Sequence, residues 1–272
     1  MYKKKNSFSQ PVINNIDTAI YTADYILGKA LDIGESLLKC GAEPNRIEDT
    51  VRRICSAYGA VYTDVFALPS LVMASVRMKD GSSAYNMRRV YKTVNNMYRL
   101  DRINDLSSSI CSGETSLEVI GEILEEILNS RPFNRYFSLI GGPIAAGAFA
   151  VFFGGSVLDG LAAAIAGLVV SALNLHKIKF GNQMLYTVVV SFFGAVTGVA
   201  VYKFGLGHSI DNIMIGTIML VIPGLAFGKA IRDLLFGDTV SGIIQLVQAI
   251  LTAVMVAFGF IVAIILFGGA TV

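Results

Sequence analysis

Residues 161–175 read LAAAIAGLVVSALNL and residues 184–202 read MLYTVVVSFFGAVTGVAVY, with no Asp, Glu, Lys or Arg in either. Runs of this kind cannot be left in water, and the longer one nearly matches the thickness of a hydrocarbon layer at about 1.5 Å per helical residue. Apolar segments of the same character occupy 136–153, 157–175, 184–202, 210–227 and 243–267. The second half, 136–272, therefore reads as a membrane domain of about five transmembrane helices. Residues 1–135 are different, holding 33 of the 42 charged residues, and they are long enough to bury a core of their own. The expected fold is a multi-pass α-helical membrane protein with an N-terminal soluble α+β domain.

The net charge of +2 is too small to suggest nucleic acid, and no basic patch is interleaved with aromatics. Met1-Tyr2-Lys3-Lys4-Lys5 could open a signal peptide, but Asn14, Asn15 and Asp17 interrupt its apolar region. The soluble domain is accordingly expected in the cytoplasm. Cys40, Cys55 and Cys111 are widely spaced, which fits reduced thiols in a core rather than disulfides or zinc.

In the soluble half, Ile20, Ala23, Leu27, Ala30, Leu31, Leu37 and Leu38 recur at helical spacing from Asp17 to Lys39, and Gly41 suits a left-handed cap. A second helix starts at Pro44, buries Ile47, Val51, Ile54 and Tyr58, and stops at Gly59. Glu48 with Arg52 and Asp49 with Arg53 have i,i+4 spacing on its other face. Val61–Ala67, Leu71–Met78 and Ser83–Val90, with a turn at Lys79-Asp80-Gly81-Ser82, predict a small antiparallel sheet. Helical periodicity resumes with Val94, Met97, Leu106 and Ile110. Thr115-Ser116-Leu117-Glu118 has the form of a capping box opening a helix that buries Leu117, Ile120, Leu124 and Ile127.

Basic residues orient the membrane half. With the soluble domain inside, Arg131, Arg135, Lys177, Lys179, Lys229 and Arg232 flank the inner side and Lys203 alone the outer, as the positive-inside rule asks. An odd number of spans then leaves Val272 outside. His176 belongs with Lys177 and Lys179 to that basic flank. This half holds 20 of the 27 glycines, including Gly194-x-x-x-Gly198 and Gly224-x-x-x-Gly228, a spacing that lets helices approach closely. The span interiors carry no charge. Asp159, Asp211, Asp233 and Asp238 sit at span ends, so a coupling site must lie near an interface, use polar groups such as Asn174 or Thr197, or come from a partner.

The stretch 222–242 reads IPGLAFGKAIRDLLFGDTVSG. Pro223-Gly224 breaks a helix and frees backbone groups, as in the broken helices of transport sites or in a simple interfacial kink. The stretch resembles the Pro-Gly, Ile-Arg-Asp, Gly-Asp, Ser-Gly signature of the threonine/serine exporter family. Leu37-Leu38-Lys39-Cys40-Gly41-Ala42-Glu43-Pro44-Asn45-Arg46-Ile47-Glu48 resembles the family's segment in the soluble half, and Phe152-Phe153-Gly154-Gly155 with Asp159 is similar to a third in the first hairpin.

The resemblance implies an inner-membrane exporter of small amino acids or, in split two-subunit members, of a dicarboxylate such as succinate. It also implies that this chain is the first of two membrane blocks, needing a separate small multi-pass subunit for the second; self-association stays open. Three positions depart from the family pattern. Lys229 stands where Asn is expected, and Gln245 and Gln248 stand where Arg and Glu are expected, which reads as an ion pair replaced by a neutral amide pair.

Two further function classes compete with export. In a membrane-tethered sensor or scaffold the soluble half would bind a ligand; five glycine-rich spans are excessive for an anchor. An enzyme would need Glu43, Arg46 and Glu48 as catalytic groups, yet no Ser-His-Asp, Cys-His or metal-ligand spacing accompanies them, and Glu43 before Pro44 is better explained as a helix start. With no nucleotide-binding loop either, no cofactor is expected. The expected transport residues are Pro223, Gly224, Arg232, Asp233, Asp238, Asn174 and Asp159, with the substrate near the Pro223-Gly224 break. Arg232 would attract a carboxylate, or else anchor at the interface, and Asp233 or Asp238 would exchange a proton.

Overall fold

The computed structural model describes residues 21–130, 136–176 and 182–268, and the chain divides into two compact units at Pro132/Phe133. Arg131, Arg135, Lys177, Lys179 and the first twenty residues lie outside the described residues.

In the first unit, α1 (Ala23–Lys39) starts from Thr22, whose hydroxyl accepts from Tyr25 N at 3.3 Å, the usual service of a Thr N-cap. It buries Ile26, Leu27, Ala30, Leu31, Ile33, Leu37 and Leu38. Gly41 then takes φ +83°, and the Ala42 N–H reaches back to Leu37 O at 3.0 Å, the bond that closes a glycine-capped helix end. Helix α2 (Pro44–Ala57) lays Ile47, Val51 and Ile54 against α1. The approach is close at Gly34, where an added Cβ would meet Val51 Cγ2 at 2.9 Å.

The three strands are β1 (Ala60–Leu68), β2 (Leu71–Met78) and β3 (Ser83–Arg89), paired antiparallel in the order β1-β2-β3. Val72, Ala74 and Val76 of β2 alternate into the core, as a one-face-buried sheet requires. The β2–β3 turn is held by Asp80, whose carboxylate accepts from Ser82 N at 2.9 Å and Ser82 Oγ at 2.6 Å, with Gly81 at φ +85°. These elements follow the sequence pattern closely.

Two expectations fail in the helices that complete this unit. Helix α3 is Met97–Cys111, with Asn96 as its cap. Val94 lies before it and is half exposed, because its N–H is used by Lys39 O at 2.9 Å. The capping box at Thr115 does not form. Its hydroxyl bonds Ser109 Oγ instead, and α4 begins only at Ile120. The predicted buried set, Leu117, Ile120, Leu124 and Ile127, is nevertheless in the core.

The second unit contains α5 (Phe137–Phe152), α6 (Val157–His176), α7 (Gln183–Lys203), α8 (Ile210–Ile218), α9 (Gly224–Leu235) and α10 (Thr239–Ala263), which runs on into a π-helical turn at Ile264–Gly268. Three of these are long and apolar enough to cross a bilayer: Val157–Leu175, Gln183–Lys203 and Thr239–Gly268. Helix α5 is shorter, at 16 residues. The expected span 210–227 is not one helix. Helix α8 stops after 9 residues, residues 219–223 turn, and α9 sets off afresh, because Pro223 cannot donate to the ladder.

Small residues let these helices close on one another. A Cβ at Gly147 would sit 2.9 Å from Gly160 O, one at Gly216 2.5 Å from Ala146 O, and one at Gly259 2.7 Å from Val188 O. Gly194 behaves as its spacing suggested, with Val170 Cγ2 2.8 Å from the Cβ position. Gly224 and Gly228 do not, since nothing among the described residues lies within 4 Å of theirs. Lys203 ends α7 by donating to Phe267 O at 2.6 Å. The outward faces are apolar, as Ile250, Val254, Phe258 and Ile261 on α10 show, which is the surface a lipid-facing helix presents.

Candidate functional site

One polar cluster of the second unit lies at the α9–α10 hairpin. Pro223, at φ −77° and ψ 53°, ends the turn after α8, and the Gly224 N–H folds back to Ile222 O at 2.8 Å. Helix α9 then carries Arg232 outward, its guanidinium 5.7 Å from the Phe236 ring centroid, and Asp233 inward, 4% exposed.

Asp233 is the hub. Its Oδ2 accepts from Gln245 Nε2 at 2.5 Å and from Ser241 Oγ at 3.4 Å, and Gln245 Nε2 also reaches Ser241 Oγ at 3.1 Å. Its carbonyl accepts the Asp238 N–H at 2.9 Å. Gly237, at φ +93°, makes the sharp turn between the helices. Gly242 lets α10 lie against α9, since a Cβ there would fall 3.0 Å from Leu234 N. The Gly-Asp and Ser-Gly parts of the motif are thus the hairpin itself.

Asp238 differs from Asp233. Its Oδ2 is buried and has no hydrogen-bond partner among the described residues. A buried acceptor without a donor is costly and calls for a proton, an ammonium group or a water. The hairpin therefore holds one carboxylate engaged by neutral donors beside another with an open valence.

The expected site residues do not all meet. Gly224 and Asp233 stand nine residues apart on α9, about 14 Å by helical rise, so the helix break and the carboxylates occupy opposite ends of that helix. Asn174 is elsewhere, accepting from Tyr186 Oη at 3.0 Å. Asp159 is 1% exposed and fully used. Its Oδ2 accepts Ser156 N and Oγ, both at 2.7 Å, while its N–H donates to Ser156 Oγ at 3.2 Å, a reciprocal capping box at the start of α6. Its Oδ1 takes the backbone N–H groups of His208 at 2.6 Å and Ser209 at 2.8 Å, ahead of α8. The Ser156-x-x-Asp159 spacing was visible in the sequence; the second helix start was not.

Gln245 also corrects an expectation. Rather than forming an amide pair with Gln248 on the same helix, it crosses to Asp233. Gln245, at the position where the resemblance implies an Arg, is thus a neutral partner of Asp233.

In the first unit, Gly41, Ala42 and Glu43 form the α1–α2 turn. A Cβ on Gly41 would lie 3.3 Å from Asn95 Cα, and Ala42 is buried. Arg46 is exposed on α2. Asp49 and Arg53 make the expected ion pair at 3.4 Å, while Glu48 Oε1 accepts the Ala67 N–H at 3.0 Å and so ties α2 to β1. This motif reads as architecture. Among the described residues no cluster of three or more His, Cys, Asp or Glu is placed to hold a metal.

Residues 29–267 match a family model described as threonine/serine exporter. The chain is 26% identical over 235 residues to a threonine/serine exporter of Corynebacterium glutamicum, an alignment covering 83% of this chain and 48% of that protein. The chain thus spans about half the length of the curated relative it matches. No solved structure matches it.

Proposed function

Because the chain belongs to the threonine/serine exporter family, a family of transporters and not of enzymes, we propose that it is a membrane exporter subunit for a small polar metabolite, either a threonine- or serine-like amino acid or a dicarboxylate such as succinate. The observation that carries the site is the α9–α10 hairpin: Asp233 is held by Gln245 and Ser241, and Asp238 presents a buried oxygen with no donor. An amino acid's ammonium group or a transported proton completes that valence, and Arg232 supplies a cation for a carboxylate.

The turn at 219–223 supports alternating access, since a helix broken at Pro-Gly bends there without losing an intact ladder. An inner-membrane setting and a cytoplasmic N-terminus agree with the basic flanks read from the sequence. The second membrane block that the family resemblance implies would come from a separate small multi-pass subunit. Lipid and substrate are the other partners.

The test is efflux of preloaded labelled threonine, serine and succinate from vesicles containing this chain, with and without a candidate second block. Efflux that needs both chains and falls in Asp233→Asn or Asp238→Asn, at equal membrane abundance, is the expected result. A stable two-chain complex that moves none of the three would favour the membrane-tethered sensor instead.

A further inference from the structure

A cleft of about 500 Å³ opens in the first unit at the C-terminal end of α1, a size typical of small-molecule sites. Glu35 and Lys39 of α1, Arg89, Tyr91 and Lys92 from the end of β3 onward, and Arg99 of α3 line it. Four cations thus face one carboxylate.

That carboxylate is already spent, because Glu35 pairs with Lys39 at 2.7 Å. Arg89, Lys92 and Arg99 have no carboxylate partner among the described residues, whereas Arg53 and Arg88 of the same unit pair with Asp49 and Asp32. Like charges gathered in a concavity repel one another and focus a positive potential into it.

Arg99 is also held in place, and Arg89 has an aromatic neighbour. Arg99 Nε and Nη2 donate to Ser130 O at 3.3 and 3.0 Å, and the Arg89 guanidinium lies 5.0 Å from the Tyr91 ring centroid. The wall beside them is docked on α1, with Val94 N donating to Lys39 O at 2.9 Å and Asn96 N to Cys40 O at 3.1 Å. Part of the ordering cost, that of Arg99 and of the backbone wall, is therefore met before any ligand arrives.

We propose that this cleft binds a small anion with at least two negative charges, of the polycarboxylate or phosphate class. Guanidinium groups bind the flat or branched oxygens of these groups in pairs, and a zwitterionic amino acid would bring too little net charge to compete. The site is separate from the α9–α10 hairpin and does not depend on the export reading.

The full chain has no tryptophan, so binding is best followed by calorimetry on the purified protein in neutral detergent, with pyrophosphate, citrate and inorganic phosphate as probes. Saturable binding of pyrophosphate or citrate is expected, weakening as salt rises. Arg89→Gln with Lys92→Gln, both exposed positions, should weaken it at least about tenfold while the unliganded thermal melt stays unchanged. Asp233→Asn should leave it unaltered.

An anionic lipid headgroup carries the same phosphate chemistry. In bilayers containing phosphatidylglycerol, retained citrate binding assigns the cleft to a soluble anion, and its loss relative to neutral bilayers assigns it to a headgroup. No saturable heat with any of the three probes, or wild-type affinity in the double variant, overturns the proposal.

Discussion

Gln245 Nε2 donates to Asp233 Oδ2 at 2.5 Å across the α9–α10 hairpin, so a neutral amide on one helix satisfies a buried carboxylate on the next. Gln245→Leu leaves that carboxylate without its main donor, which should cost about 1–3 kcal/mol. Adding Asp233→Asn removes the charge that needed satisfying and should recover part of the loss. Thermal melts of the two single variants and the double variant in detergent check this; a double variant as unstable as the sum of the singles would mean the two residues are not coupled.

Asp159 predicts a different phenotype. Its carboxylate serves two helix starts, with Ser156 on one side and His208 and Ser209 on the other. Asp159→Ala should cost about 2 kcal/mol or more, taking roughly 1 kcal/mol per cap. Asp159→Asn should also destabilise, since its amide NH2 would face the Ser156 N–H. Membrane abundance and melting temperature should fall in both, with efflux per folded molecule preserved. Normal stability with lost efflux would instead make Asp159 a transport residue.

Cys55 gives the first unit a pH dependence. Burial pushes its thiol from the ordinary 9.0 up to about 12. The folded state thus keeps a proton that the unfolded chain has released. Stability from this source is fully present below pH 9 and is lost as pH rises toward 12. Far-UV melts at pH 7.5 and 10.5 should show a drop that is smaller in Cys55→Ala than in wild type, and Cys55 should resist thiol reagents at pH 7.5 until the protein unfolds.

The fold of the first unit was largely legible because its signals are local: periodicity in α1 and α2, glycines at 41, 59 and 81, and alternation in β2. The misses came where a distant group outcompeted the local one. Thr115 met Ser109 rather than capping α4, and the Val94 N–H went to Lys39 O. In the membrane half, hydropathy located apolar segments but could not see that residues 219–223 turn. The Asp233–Gln245 contact and the cation cleft both join residues from different elements, which spacing along one chain segment does not report.

Glycine pairs separate packing within the chain from packing against something else. Gly194 is filled from within, by Val170 and Thr217, so Gly194→Leu should disrupt the unit on its own, at about 1–3 kcal/mol for overpacking. Gly224 and Gly228 meet nothing within 4 Å among the described residues, so Gly224→Leu or Gly228→Leu should leave the melt of the isolated chain within about 0.5 kcal/mol of wild type, the range of ordinary surface substitutions. The proposed second block gives these two positions a use, because the spacing admits a close-packed helix. Co-purification with a candidate second block should then fall in Gly228→Leu while the chain alone stays stable. Undiminished association in both leucine variants would place the junction between the blocks on another face, and the exposed stripe of α10 at Val254, Phe258 and Ile261 would be the next to substitute.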